Sequence, residues 1–140
     1  MIEMFKKAIE YNKPIYAGTS ILDLSKLCMM KFHYNVIHKN FEGRYNLIYS
    51  DTDSLVYSIQ HEDIYTWIKD NKDHFDLTSS KRLEIKDDKN DKALGKFKDE
   101  LHSLIMTEFI ALNPKVYSFN HQTLNELNDI VIKNKKHLKV

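Results

Sequence analysis

Tyr45-Asn46-Leu47-Ile48-Tyr49-Ser50-Asp51-Thr52-Asp53-Ser54-Leu55-Val56-Tyr57-Ser58-Ile59 is the stretch on which the reading of this chain turns. Two β-prone runs flank a short polar turn, which is the pattern of a hairpin. Alternation supports it, with Leu55, Tyr57 and Ile59 on one side and Val56 and Ser58 on the other. The tip carries the chemistry. Side chains at i and i+2 of an extended segment point the same way, so Asp51 and Asp53 can share one divalent cation or flank a pair. Carboxylate oxygens are the ligands that hard cations such as Mg²⁺ prefer.

Several chemistries share an Asp-x-Asp turn. The plainest is structural, with the side chains accepting backbone hydrogen bonds. A calcium loop of the EF-hand type needs a third oxygen ligand and a Gly soon after, where Leu55 and Val56 stand. A haloacid-dehalogenase-type phosphatase usually wants Thr or Val two residues beyond the second Asp, and Leu55 is there. A glycosyltransferase that holds Mn²⁺ with Asp-x-Asp stays open. No Gly-x-Gly-x-x-Gly, Walker loop or Gly-x-Ser-x-Gly occurs.

Upstream, Ile2, Phe5 and Ile9 leave residues 2–13 open between strand and short helix. Pro14 biases Lys13 away from helix, and Gly18 reads as a turn. Ser20 with Asp23 resembles a capping box. Leu24, Leu27, Cys28, Phe32, Ile37 and Phe41 then predict an amphipathic helix over 21–42, closed by Gly43. Downstream, 62–70 reads as a short helix burying Ile64, Tyr65, Trp67 and Ile68. Residues 75–91 read as loop, 92–100 as strand, 105–112 as helix or strand, and 115–120 as strand. The last 20 residues are weakly patterned. The expected class is α+β, an antiparallel sheet with the 21–42 helix packed on one face.

The whole chain has 140 residues, 42% hydrophobic and 29% charged, the size of one small domain. Three Gly, two Pro and 11% aromatics exclude a linker or a disordered chain. The apolar runs are short and broken by charge, so no membrane span and no secretory signal is expected. A single Cys, Cys28, excludes an internal disulfide and suits a reducing, intracellular compartment. Net charge is only +1, but Lys133, Lys135, Lys136 and Lys139 cluster near the end. Basic flanks around an acidic centre suit a polyanion lying beside a metal; a solvated mixed surface explains them as well.

Tyr49-Ser50-Asp51-Thr52-Asp53-Ser54 resembles the Tyr-x-Asp-Thr-Asp-Ser palm motif of family B DNA polymerases. Lys13-Pro14-Ile15-Tyr16, Gly18, Ile21-Leu22-Asp23-Leu24-Ser25-Lys26 and Met30-x-Phe32-x-Tyr34 resemble the palm helix of the viral and organellar subgroup. Gly95 to Glu100, Glu108-Phe109 and Pro114-Lys115-Val116-Tyr117-Ser118 are similar to later blocks of that subgroup. The likeness is strongest to the protein-primed polymerases of virus-like Maverick (Polinton) transposons and covers about residues 3–120.

The resemblance implies a palm-type sheet and nucleotidyl transfer from dNTPs to a primer 3′-hydroxyl with two Mg²⁺ ions. Asp53 matches the principal metal ligand and Asp51 the second, looser one. Tyr49 and Thr52 match residues facing the primer end. Lys115 and Tyr117 match the pair that grips the primer strand. Implied partners are a DNA primer–template and dNTPs, with a terminal protein primer implied by the protein-primed subgroup.

Relatives usually carry Arg where Asn113 stands. The Asp-x-x-Ser-Leu-Tyr-Pro palm motif, the Lys-x-x-x-Asn-Ser-x-Tyr-Gly fingers motif and the exonuclease carboxylate motifs do not occur in these residues. The expectation is therefore a polymerase fragment, inactive alone, with 1–120 as partial palm and 121–140 as a basic segment leading toward a thumb. The alternatives are a catalytically dead transposon or viral remnant that at most binds nucleic acid, and an unrelated Asp-x-Asp metal enzyme such as a glycosyltransferase.

Overall fold

The computed structural model describes residues 13–78, 88–102, 104–124 and 130–138. Its class is α+β, with one long helix and mainly antiparallel strand pairs. The chain divides into two compact units, Met1–Asn40 and Phe41–Val140. The reading of residues 2–13 lies almost wholly outside the described residues.

In the first unit, α1 (Ile15–Phe32) begins six residues before Ile21, the predicted start. Pro14 sits just before the helix, where its missing N–H costs nothing. Its carbonyl accepts the first bonds, from the N–H groups of Ala17 at 3.1 Å and Gly18 at 3.2 Å. Gly18 is therefore helical and not a turn. Ser20 is no cap either, because its Oγ donates to the Tyr16 carbonyl one turn back at 2.9 Å. The helix passes into a π-helical stretch, His33–His38, and then α2 (Lys39–Phe41). Burial falls late in this run, at Phe32, Val36 and Ile37, while Ile21, Leu24 and Leu27 are exposed.

Near the start of the second unit, Gly43 has a φ of 72°, which suits the left-handed residue after a helix, as expected. Strands β1 (Tyr45–Asp51) and β2 (Ser54–Ile59) form the predicted hairpin. Helix α3 (Ile64–Asp70) follows, starting two residues later than expected, and the apolar residues expected to be buried are half-buried. Asp63 caps it, accepting from the Tyr65 N–H at 3.0 Å. Phe41, the most deeply buried large side chain described, meets the Trp67 ring edge-on at 4.7 Å, and Trp67 meets Phe75 at 5.9 Å.

The segment read as loop over 75–91 contains a two-residue strand, β3 (Phe75–Asp76), and a 3₁₀ turn at Asp88–Asn90. Its middle, 79–87, lies outside the described residues. The strand expected over 92–100 shrinks to β4 (Phe97–Lys98), paired parallel with β3. Strands β5 (Ile105–Asn113), β6 (Val116–Leu124) and β7 (Ile130–Leu138) form an antiparallel sheet in that order. The boundary expected at residue 120 falls inside β6, and β7 pairs along all of it. Residues 130–138 thus belong to this sheet, because backbone pairing needs no strong side-chain pattern.

Candidate metal centre

A bulge sets the direction of the Asp51 side chain. Tyr45 and Leu47 oppose Ile59 and Tyr57, whereas Tyr49 and Asp51 oppose Val56 and Ser54. The register shifts between Leu47 and Tyr49, with Ile48 as the extra residue. Opposed residues share a face, so Tyr49 and Asp51 lie on the opposite face from Tyr45 and Leu47. Without the bulge all four would alternate onto one side.

The turn itself is Thr52-Asp53, closing between Asp51 and Ser54. Thr52 has φ 36°, a region that a β-branched residue rarely enters and that costs on the order of 1–3 kcal/mol. Local bonds offset it. The Thr52 hydroxyl donates to Asp51 Oδ1 at 2.9 Å, and Ser54 Oγ donates to the Asp51 carbonyl at 3.1 Å. Asp53 and Thr52 are exposed, and Asp51 is half-buried.

A second hairpin tip reaches this one. Pro114 and Lys115 close β5 onto β6, with Asn113 opposite Val116. Lys115 was expected to begin a strand; it occupies the turn, at φ 64°. Pro presets the first central position of a type II turn, and the next residue must then take positive φ. The turned-out Lys115 N–H donates to the Tyr49 hydroxyl at 2.9 Å, and Lys115 Nζ donates to Asp51 Oδ2 at 2.5 Å. The bond to Asp51 is the main cause that raises the Lys115 pKa, partly opposed by burial and assisted by the negative charge of Asp51.

Aromatic rings underlie the junction. Tyr49 lies 5.4 Å from Phe109 and 5.3 Å from Tyr117, and Phe109 stacks on Tyr117 at 5.4 Å. Each such pair adds about 0.5–1.5 kcal/mol beyond simple burial. Burial raises the Tyr117 pKa, so its hydroxyl stays protonated through the neutral range.

The structure thus joins four of the six candidate residues directly: Tyr49, Asp51, Lys115 and Tyr117. Thr52 reaches the group through Asp51. Asp53 adds negative charge that Lys115 feels. Phe109 stood only in a resembling block, Glu108-Phe109, with no role assigned to it.

No protein-family model matches the chain, and no curated protein or solved structure matches it either.

Asp51 ends β1 and Asp53 lies in the turn, so the pair is not in the extended segment expected; both are oxygen donors of the kind Mg²⁺ takes, one or two carboxylates together with substrate phosphates and water. Among the described residues no group of three or more His, Cys, Asp or Glu gathers.

Proposed function

We propose that this chain carries the acidic hairpin of a family B DNA polymerase palm and serves nucleotidyl transfer from dNTPs to a primer 3′-hydroxyl. One observation carries this reading. The two segments that resemble the family's acidic hairpin and its Lys-x-Tyr block lie 64 positions apart, yet they meet through Lys115 and Asp51.

On this reading Asp53 is the principal ligand and Asp51 the secondary one. Bound Mg²⁺ would supply Lewis-acid activation of the hydroxyl and charge neutralisation at the triphosphate. Lys115 offers an ammonium to a primer phosphate, and Tyr117 a hydroxyl to the same strand. Tyr49 holds the Lys115 turn in place. Thr52 lies at the tip beside the primer end. DNA primer–template, dNTPs and a terminal protein primer are the proposed partners, inside a cell. Among the described residues no helix is long and apolar enough to cross a membrane.

The second reading is a remnant that binds DNA without chemistry. These residues alone should not extend a primer. The deciding experiment replaces the matching palm segment of an intact family B polymerase with this one. Asp53→Ala should then abolish nucleotide addition and leave DNA binding intact or slightly stronger. Lys115→Ala should weaken DNA binding and flatten its salt dependence by about one phosphate contact. A chimera that binds DNA but never adds nucleotides would favour the remnant. Transfer of sugar from a nucleotide sugar by the chain alone would favour the glycosyltransferase.

A further inference from the structure

Both Asp51 carboxylate oxygens carry a donor. Oδ1 accepts from the Thr52 hydroxyl at 2.9 Å and Oδ2 from Lys115 Nζ at 2.5 Å. A hard cation needs an oxygen lone pair, and the ammonium occupies the side of the carboxylate that faces the second hairpin. Two cations on one oxygen repel, so they exchange rather than coexist. Lys115 can withdraw, because its side chain is 44% exposed and sits on a flexible stem, while its turn stays anchored through the Tyr49 hydroxyl.

We propose that Lys115 and a divalent cation are mutually exclusive partners of Asp51, so that the lysine suppresses cation binding until a phosphate draws it away. This rests on the metal reading given above and goes beyond it, because it makes cation affinity depend on phosphate occupancy. By reciprocity, cation binding releases Lys115 for phosphate, and the two affinities rise by the same factor. The chain would then hold a cation well only when a polyanion is present.

The test is Mn²⁺ binding by the full chain, read from the electron paramagnetic resonance signal of unbound Mn²⁺ at physiological salt. Lys115→Gln should bind Mn²⁺ about tenfold more tightly than the natural chain, within the range typical of such coupling. Lys115→Arg keeps the charge and should bind like the natural chain. In an Asp51→Asn background the gain from Lys115→Gln should vanish; a gain that persists there reflects general charge and overturns the proposal. A second measurement uses the unaltered chain. Diamagnetic Mg²⁺ should move the Lys115 side-chain NMR resonances to their positions in Asp51→Asn, and resonances that stay still while Mg²⁺ binds overturn it. Equal Mn²⁺ affinity with and without Lys115 sinks this inference alone. Absence of Mn²⁺ binding in every form sinks the metal reading as well.

Discussion

Asp51 and Asp76 both have each carboxylate oxygen hydrogen-bonded, but their donors differ in kind. Asp76 is buried, only 7% exposed. Its Oδ1 accepts from the Thr78 N–H at 3.0 Å and the Thr78 hydroxyl at 2.6 Å, and its Oδ2 from the Lys92 N–H at 3.3 Å. Main-chain donors held in a turn cannot swing away. The Asp51 donors named above are side chains, one hydroxyl and one ammonium, and Asp51 is 22% exposed. The first arrangement ties a loop down; the second can be exchanged for another ligand. Burial alone would have marked Asp76 as the special aspartate, and the nature of the donors marks Asp51 instead.

The largest expected effect separates the two in stability. Asp76→Ala orphans the Thr78 and Lys92 N–H groups and should cost about 1–3 kcal/mol in urea unfolding. Asp51→Ala should cost much less, since its former donors can turn to water. Equal losses would break the comparison.

Acid sharpens it. Hydrogen bonds, foremost from the Thr78 hydroxyl, lower the Asp76 pKa against the opposing effect of burial. A lowered folded value means the stabilisation is complete above the ordinary aspartate value, about 3.9, and is lost as pH falls through the folded value. Unfolding measured from neutral to strongly acid pH should show that slope, and Asp76→Asn should remove it while keeping part of the stability.

Tyr49→Phe deletes the acceptor of the Lys115 N–H while keeping the ring. A loss of roughly 1 kcal/mol is expected, with increased hydrogen exchange at the Lys115 amide. A change that left that amide as protected as before would detach Tyr49 from the turn.

Thr52→Gly relieves the positive-φ strain but gives the unfolded chain more freedom, two opposing effects of about 1 kcal/mol each, so only a small net stabilisation is expected. It also removes a donor to Asp51. Destabilisation would mean that this hydroxyl matters more than the backbone strain.

The smallest effect is spectroscopic. Burial, with the nearby Tyr45, pushes the Tyr57 pKa up to about 12. Its folded value exceeds the unfolded one, so its stabilisation holds below about pH 10 and is lost as pH rises toward 12. Ultraviolet titration should show a phenol titrating near pH 12 that is lost in Tyr57→Phe.

Local pattern was a good guide where local forces dominate. The β1–β2 hairpin, the α3 helix with its half-buried side and the left-handed Gly43 were all legible, because alternation, helical spacing and turn chemistry act over a few residues. The start of α1 was not. Gly18 and Ser20 look like helix stops and caps, but both are tolerated within a long helix. Strand β7 was missed because Lys133, Asn134, Lys135 and Lys136 give no apolar alternation. Such an edge strand owes its existence to pairing with β6, and lysines there discourage further pairing.

The sequence by itself determined the α+β class, the acidic turn and the list of chemically able residues, since side-chain chemistry and short-range periodicity are written locally. Only the tertiary structure decided which of them meet. The bulge at Ile48 chose the face on which Tyr49 and Asp51 stand, and pairing register is a property of two strands, not of one. The positive φ of Lys115 turned its N–H toward Tyr49 and its ammonium toward Asp51. That contact spans 64 positions, a distance over which no local pattern carries information, and it forms because the packed rings of Tyr49, Phe109 and Tyr117 hold the two hairpins together.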